Sequence, residues 1–168
     1  MGDSVDFEAF CLGQNAALIR MLTLYCSDGE VARDLAQEAL ARTWVHWHKV
    51  RRMDRPDLWV RRVALNLGKS HFRRLRVARE VQQRQAHSGE SMAVVPDSVD
   101  RLCIQEALAH LTERQRAAVL LRFLEDLTVE QTAELMGCSA GTVKKLTARA
   151  LDVLRRHVNE GFEVASDA

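Results

Sequence analysis

Breakers and aromatics are scarce in this chain of 168 residues: two prolines, eight glycines, three tryptophans, one tyrosine and five phenylalanines. That scarcity excludes a turn-rich all-β architecture, and the plentiful Ala, Leu and Arg favour helices. No apolar run approaches the ~20 residues needed to span a bilayer, so membrane insertion is not expected. The first ten residues carry Asp3, Asp6 and Glu8 without a basic stretch, unlike a secretory leader, and a cytoplasmic protein is expected. Cys11, Cys26, Cys103 and Cys138 stand singly, with no CxxC pair. Neither a disulfide framework nor a metal site of known ligand spacing follows from them. His46 and His48 lie two apart on an expected helix and so point to different sides. A Gly-rich phosphate loop, a Ser/His/Asp set and a Cys/His set are also missing. No catalytic residue, no cofactor and no metal is expected, and the chain does not read as an enzyme.

What the chain has is segregated charge. Lys and Arg number 24 against 23 Asp and Glu, which hides the pattern. Residues 1–48 carry a net −4, residues 49–84 a net +9 and residues 85–168 a net −4. Such segregation points to a polyanion partner for the middle segment and a different kind of partner elsewhere.

The hydrophobic spacing predicts an all-α fold: two small helical domains joined by a flexible linker, the second a helix-turn-helix domain. The first domain spans 1–84. Phe7, Phe10, Cys11, Leu18, Met21, Leu22 and Tyr25 recur at helical spacing, and Ser27-Asp28-Gly29 ends that helix. A second helix is expected to carry Ala32, Ala36, Leu40, Trp44 and Trp47 on one face, with a break at Met53-Asp54-Arg55. Pro56 then fits the first turn of a third helix running to about Arg84, with Gly68 as a tolerated weak point. The segment 85–98 holds Gly89, Pro96 and small polar residues and reads as the linker. The second domain, 99–168, opens with a helix to about His110. Capping boxes follow at Thr112-x-x-Gln115 and Thr128-x-x-Gln131, and Val119, Leu120 and Phe123 lie on the helix between them. A break at Gly137 and a cap at Ser139 start a last helix, with Val143, Ala150, Leu151 and Leu154 inside.

Three constellations carry function. Arg62, Asn66, Lys69, Arg73 and Arg76 are spaced 4, 3, 4 and 3, one stripe about 21 Å long at the helical rise. Val60, Val63, Ala64, Leu67, Leu75 and Ala78 fall on the opposite side. Arg and Lys suit phosphates, and Asn can hydrogen-bond a base edge. Trp59 sits at the border, where it either packs in the core or stacks on an unpaired base. In the helix-turn-helix, Ser139, Thr142, Lys144, Lys145 and Arg149 are placed to reach a major groove. Finally, Asp34, Gln37 and Glu38 stand side by side at offsets of three and four, opposite Leu35, Leu40 and Trp44. A patch of that sign suits a protein rather than DNA.

In that order and at these separations, DLAQEALARTW (34–44), WVRRVALN (59–66) and LTVEQTAELMGCSAGTVK (127–144) resemble a bacterial RNA polymerase sigma factor of the extracytoplasmic-function (ECF) group within the sigma-70 family. The form of the last motif is most similar to members common in actinobacteria. The resemblance implies a promoter-specificity subunit that directs core polymerase and helps open DNA. Residues 1–84 would be its region 2, serving the core enzyme and the −10 element, and residues 99–168 its region 4, serving the −35 element. Asp34, Gln37 and Glu38 match the segment that docks on the β′ clamp helices. Trp59, Arg62, Asn66, Lys69, Arg73, Arg74 and Arg76 fall where the −10 element is read and melted. Ser139, Thr142, Lys144, Lys145 and Arg149 fall where the −35 element is read, in a domain that also sits on the β flap. Promoter DNA and core polymerase are the implied partners, and an anti-sigma factor is left open. Leu65, Ser70 and Leu146 depart from the family's commoner residues. The alternative of a stand-alone helix-turn-helix regulator leaves the acidic patch without a role.

Overall fold

The computed structural model describes residues 2–85 and 99–166, with side-chain surroundings for 4–81 and 103–157. Among the described residues the only regular structure is helical, so the all-α expectation holds. The chain divides into two compact units, Met1–Val95 and Pro96–Ala168. Nearly all of the expected linker lies outside the described residues.

The first unit holds α1 (Gly2–Cys26), α2 (Gly29–Val45), α3 (Trp47–Val50) and α4 (Pro56–Gln85). Ser27 ends α1 in the left-handed region at φ 58°. Asp28 then caps α2, its Oδ1 accepting from the Glu30 and Val31 amides at 2.9 and 3.0 Å. Leu18, Met21, Leu22 and Tyr25 of α1 bury against the small face of α2, Ala32, Ala36 and Ala39, and against Val60, Ala64 and Leu67 of α4. Small residues on the middle helix let all three axes approach closely.

Three expectations for this unit need correction. Trp44 and Trp47 do not share one helix: His46 (φ −106°, ψ 9°) ends α2, and α3 restarts the winding. The restart buries Trp47 against Phe7 and Phe10, while Trp44 stays 47% exposed with its ring 4.9 Å from that of Phe7. Gly68 is not merely tolerated. A Cβ there would lie 2.7 Å from Cε1 of the buried Tyr25, so hydrogen is what lets α4 reach α1. Leu75 and Ala78 do not reach a core, because every residue from Arg73 to Val81 is exposed and α4 leaves its bundle after Phe72.

The second unit contains α5 (Val99–Ala109), α6 (Glu113–Val119), a π-helical turn (Leu120–Leu124), α7 (Val129–Met136) and α8 (Ala140–Ser166). Both capping boxes form, Thr112 with Gln115 and Thr128 with Gln131. Arg116 is buried and structural. Its Nε donates to the Leu108 carbonyl at 2.9 Å, satisfying an acceptor at the end of α5. The π turn corrects the expected place of Phe123. Glu125 N donates to Leu120 O at 3.0 Å, a five-residue step that breaks the helical phase and leaves Phe123 59% exposed. Gly137 stops α7 at φ 64°, with Cys138 N donating to Ala133 O and Gly137 N to Glu134 O, a Schellman motif. Ser139 Oγ accepts from Thr142 N at 3.2 Å to start α8, whose Val143 and Ala150 are fully buried. Leu151 and Leu154 are half-buried.

Candidate nucleic-acid interface

The functional side chains of the first unit follow from its helix packing. Burial of Val60, Ala64 and Leu67 turns the opposite side of α4 outward, and with it Arg62, Asn66, Lys69, Arg73 and Arg76. Asn66, Arg73, Arg74 and Arg76 are exposed, and Arg62 and Lys69 are partly covered. Other cations of the basic segment are tied into the fold. Arg55 grips Asp57 with two hydrogen bonds of 3.0 and 2.8 Å, and Arg61 reaches Gln14 Oε1 on α1 at 2.9 Å. The Arg55 hydrogen bonds hold the Asp57 carboxyl below its usual range against the opposing effect of burial. Burial, aided by Arg74, lowers the pKa of His71 on the same helix.

Trp59 settles between its two readings as a wall. It is half-buried, its ring packs edge-on against His46 at 5.8 Å, and it lines a pocket of about 300 Å³. The other walls are Arg42, Val45 and His46 from the end of α2, and Val63 and Asn66 from α4. Asn66 therefore belongs to the stripe and to the pocket at once. An aromatic wall, an amide and a guanidinium suit a flat, hydrogen-bonding, anionic guest such as a nucleotide.

Asp34, Gln37 and Glu38 are all exposed on the outer side of α2, opposite buried Leu35, Ala36 and Ala39. Leu40 is half-buried and Trp44 is half-exposed, so only part of the expected core side is core. Glu38 accepts from Arg42 at 2.5 Å, which links this patch to the pocket. On α8, Lys144, Lys145 and Arg149 are exposed, while Ser139 and Thr142 engage each other at 2.9 Å within the cap. Leu146 is half-buried. Among the described residues no group of His, Cys, Asp or Glu is placed to hold a metal, and no helix is long and apolar enough to cross a membrane.

Sequence reasoning missed Arg42, Val45, His46 and Val63 as pocket walls. Their spacings, three and four along α2 and four and three from Trp59 along α4, were readable. The facing of the two helices was not.

Residues 15–77 match sigma-70 region 2, and residues 101–154 match sigma-70 region 4. The RNA polymerase sigma-E factor of Streptomyces coelicolor is 34% identical over 94% of this chain and 89% of its own length. The chain belongs to the extracytoplasmic-function group of the sigma-70 family. Another such sigma factor, SigL of Mycobacterium tuberculosis, is 32% identical over 86% of this chain and 84% of its own. Among solved structures, the sigma factor RpoE of Bartonella quintana, in complex with the anti-sigma factor NepR, superposes with a TM-score of 0.78. It is 27% identical and covers 92% of this chain and 97% of its own. The protein is thus an ECF sigma factor, a transcription initiation subunit with a helix-turn-helix. Its relatives are regulators of transcription rather than enzymes.

Proposed function

We propose that this sigma factor divides promoter recognition between its two units. Residues 1–84 bind core polymerase through Asp34, Gln37 and Glu38, on the β′ clamp helices. They take the −10 element on Trp59, Arg62, Asn66, Lys69, Arg73, Arg74 and Arg76. Residues 99–168 read the −35 element with Lys144, Lys145 and Arg149, the exposed cations in the N-terminal half of the recognition helix. Ser139 and Thr142 assist at its capped N-terminus, where phosphate is favoured. The exposed Phe123, on a different element, gives this unit an apolar contact for the β flap. Residues 85–98 join the two.

The observation that carries the reading is Asn66. A strand tracking the α4 cations passes the pocket that Asn66 shares with Trp59 and Arg42, so one unstacked nucleotide can be drawn out of line. Strand opening is then driven by binding energy, with no reacting side chain required. The protein works in the cytoplasm, where polymerase and promoter are. By likeness to the RpoE–NepR pair, an anti-sigma factor is a further partner.

The test is capture of core bacterial RNA polymerase by the purified protein, followed by run-off transcription with the holoenzyme. Binding with promoter-dependent transcripts is the expected result. No binding, together with tight specific duplex binding by the protein alone, would make it a stand-alone regulator.

A further inference from the structure

Arg42 stands in two places. Its Nη2 donates to Glu38 Oε1 at 2.5 Å, and its side chain lines the pocket with Trp59 and Asn66. Glu38, one helical turn away, is one of the two carboxylates of the proposed polymerase-docking patch. We propose that Arg42 is a switched DNA ligand: Glu38 holds its guanidinium in the free protein, and polymerase docking on Glu38 releases it to the nucleotide in the pocket. The proposal rests on the roles given above to the patch and the pocket.

The chemistry of the pair favours exchange. Glu38 and Arg42 side chains are 45% and 56% exposed, so each can change partners without unfolding α2. A basic surface that claims the Glu38 carboxylate weakens its hold on Arg42. The freed guanidinium then offers a planar fork of donors, which matches phosphate oxygens in pairs. Docking on Glu38 thereby supplies a donor to the pocket. Linkage makes the effect mutual, so a nucleotide in the pocket tightens polymerase binding by the same factor. An exposed i,i+4 pair limits that factor to about two- to fivefold at low salt. That suffices to bias strand capture toward the holoenzyme without making it absolute.

A fluorescein-labelled, mixed-sequence, single-stranded decanucleotide is titrated with the full chain at low salt and followed by anisotropy. Glu38→Gln is expected to raise affinity about two- to fivefold, and the gain should fade as salt rises. In an Arg42→Gln background the same substitution should gain nothing. Glu30→Gln removes an equal charge from α2 about 12 Å further along the helix, and its gain should be clearly smaller. An equal gain from Glu30→Gln, or a gain that survives Arg42→Gln, overturns the switch in favour of bulk electrostatics. If Arg42→Gln, Trp59→Ala and Asn66→Ala all leave oligonucleotide binding intact, the pocket reading itself fails. If they weaken it while Glu38→Gln gains nothing, only the switch fails.

Discussion

Gly68 shows how one residue sets the geometry of the first unit. The space for its missing Cβ is filled by Cδ1 and Cε1 of Tyr25, at 2.8 and 2.7 Å, and Tyr25 is itself buried. Gly68→Ala gains helix propensity but must displace that ring, and we expect a net loss of about 1–2 kcal/mol in urea denaturation. Gly13, on α1 with nothing within 4 Å, should respond in the opposite sense. There Gly13→Ala should stabilise by about 0.4–1 kcal/mol. Asp57 offers a second test at this scale. Its folded pKa is depressed by Arg55, so its contribution is present above the unfolded value of about 3.9 and disappears as pH falls through the lower folded one. Asp57→Asn should cost about 0.5–1 kcal/mol near pH 7 and progressively less as pH falls below about 3.9, read as the difference between two denaturation series.

At the scale of elements, the helix-turn-helix depends on its ends more than on its length. The eight residues of α7 are too few to persist alone, and their boundaries come from the Thr128–Gln131 box and the left-handed Gly137. Thr128→Ala should cost about 1 kcal/mol. Gly137→Ala meets open space, so its loss of about 1–2 kcal/mol is backbone strain alone. Thermal denaturation followed by circular dichroism checks both. These ends were legible beforehand, because a capping box is a local pattern of side chain and amide. The π turn was not. Its five-residue step depends on how Leu120 and Leu121 bury and on Arg122 donating to the Leu127 carbonyl, which no local periodicity records.

At the scale of the whole molecule, the division of labour between faces is the property to test. Glu38→Lys should weaken capture of core polymerase at least ~10-fold, since it reverses a charge at the proposed docking patch. Arg73→Ala with Arg74→Ala, on the segment of α4 that projects beyond its bundle, should leave capture intact and lower open-complex formation. Permanganate footprinting on holoenzyme–promoter complexes reads the second effect. Equal loss of capture in both variants would show that the faces are not separate.

By itself the sequence determined most of the helices, the two capping boxes and the Ser139 cap, the cationic stripe of α4 and the acidic patch of α2. Each is a matter of spacing along one helix, where neighbours three and four residues apart must share a face. The charge segregation that separates a basic middle segment from its acidic flanks was equally plain. Only the tertiary structure decided what happens between helices. It turned Trp47 inward and left Trp44 at the edge, made Gly68 a close contact, and exposed Leu75 and Phe123. It also set α2 against α4 so that Arg42 and His46 meet Trp59 and Asn66 around one pocket. The physical reason is that packing depends on the phase and crossing of two helices at once, and a linear pattern specifies only one helix at a time.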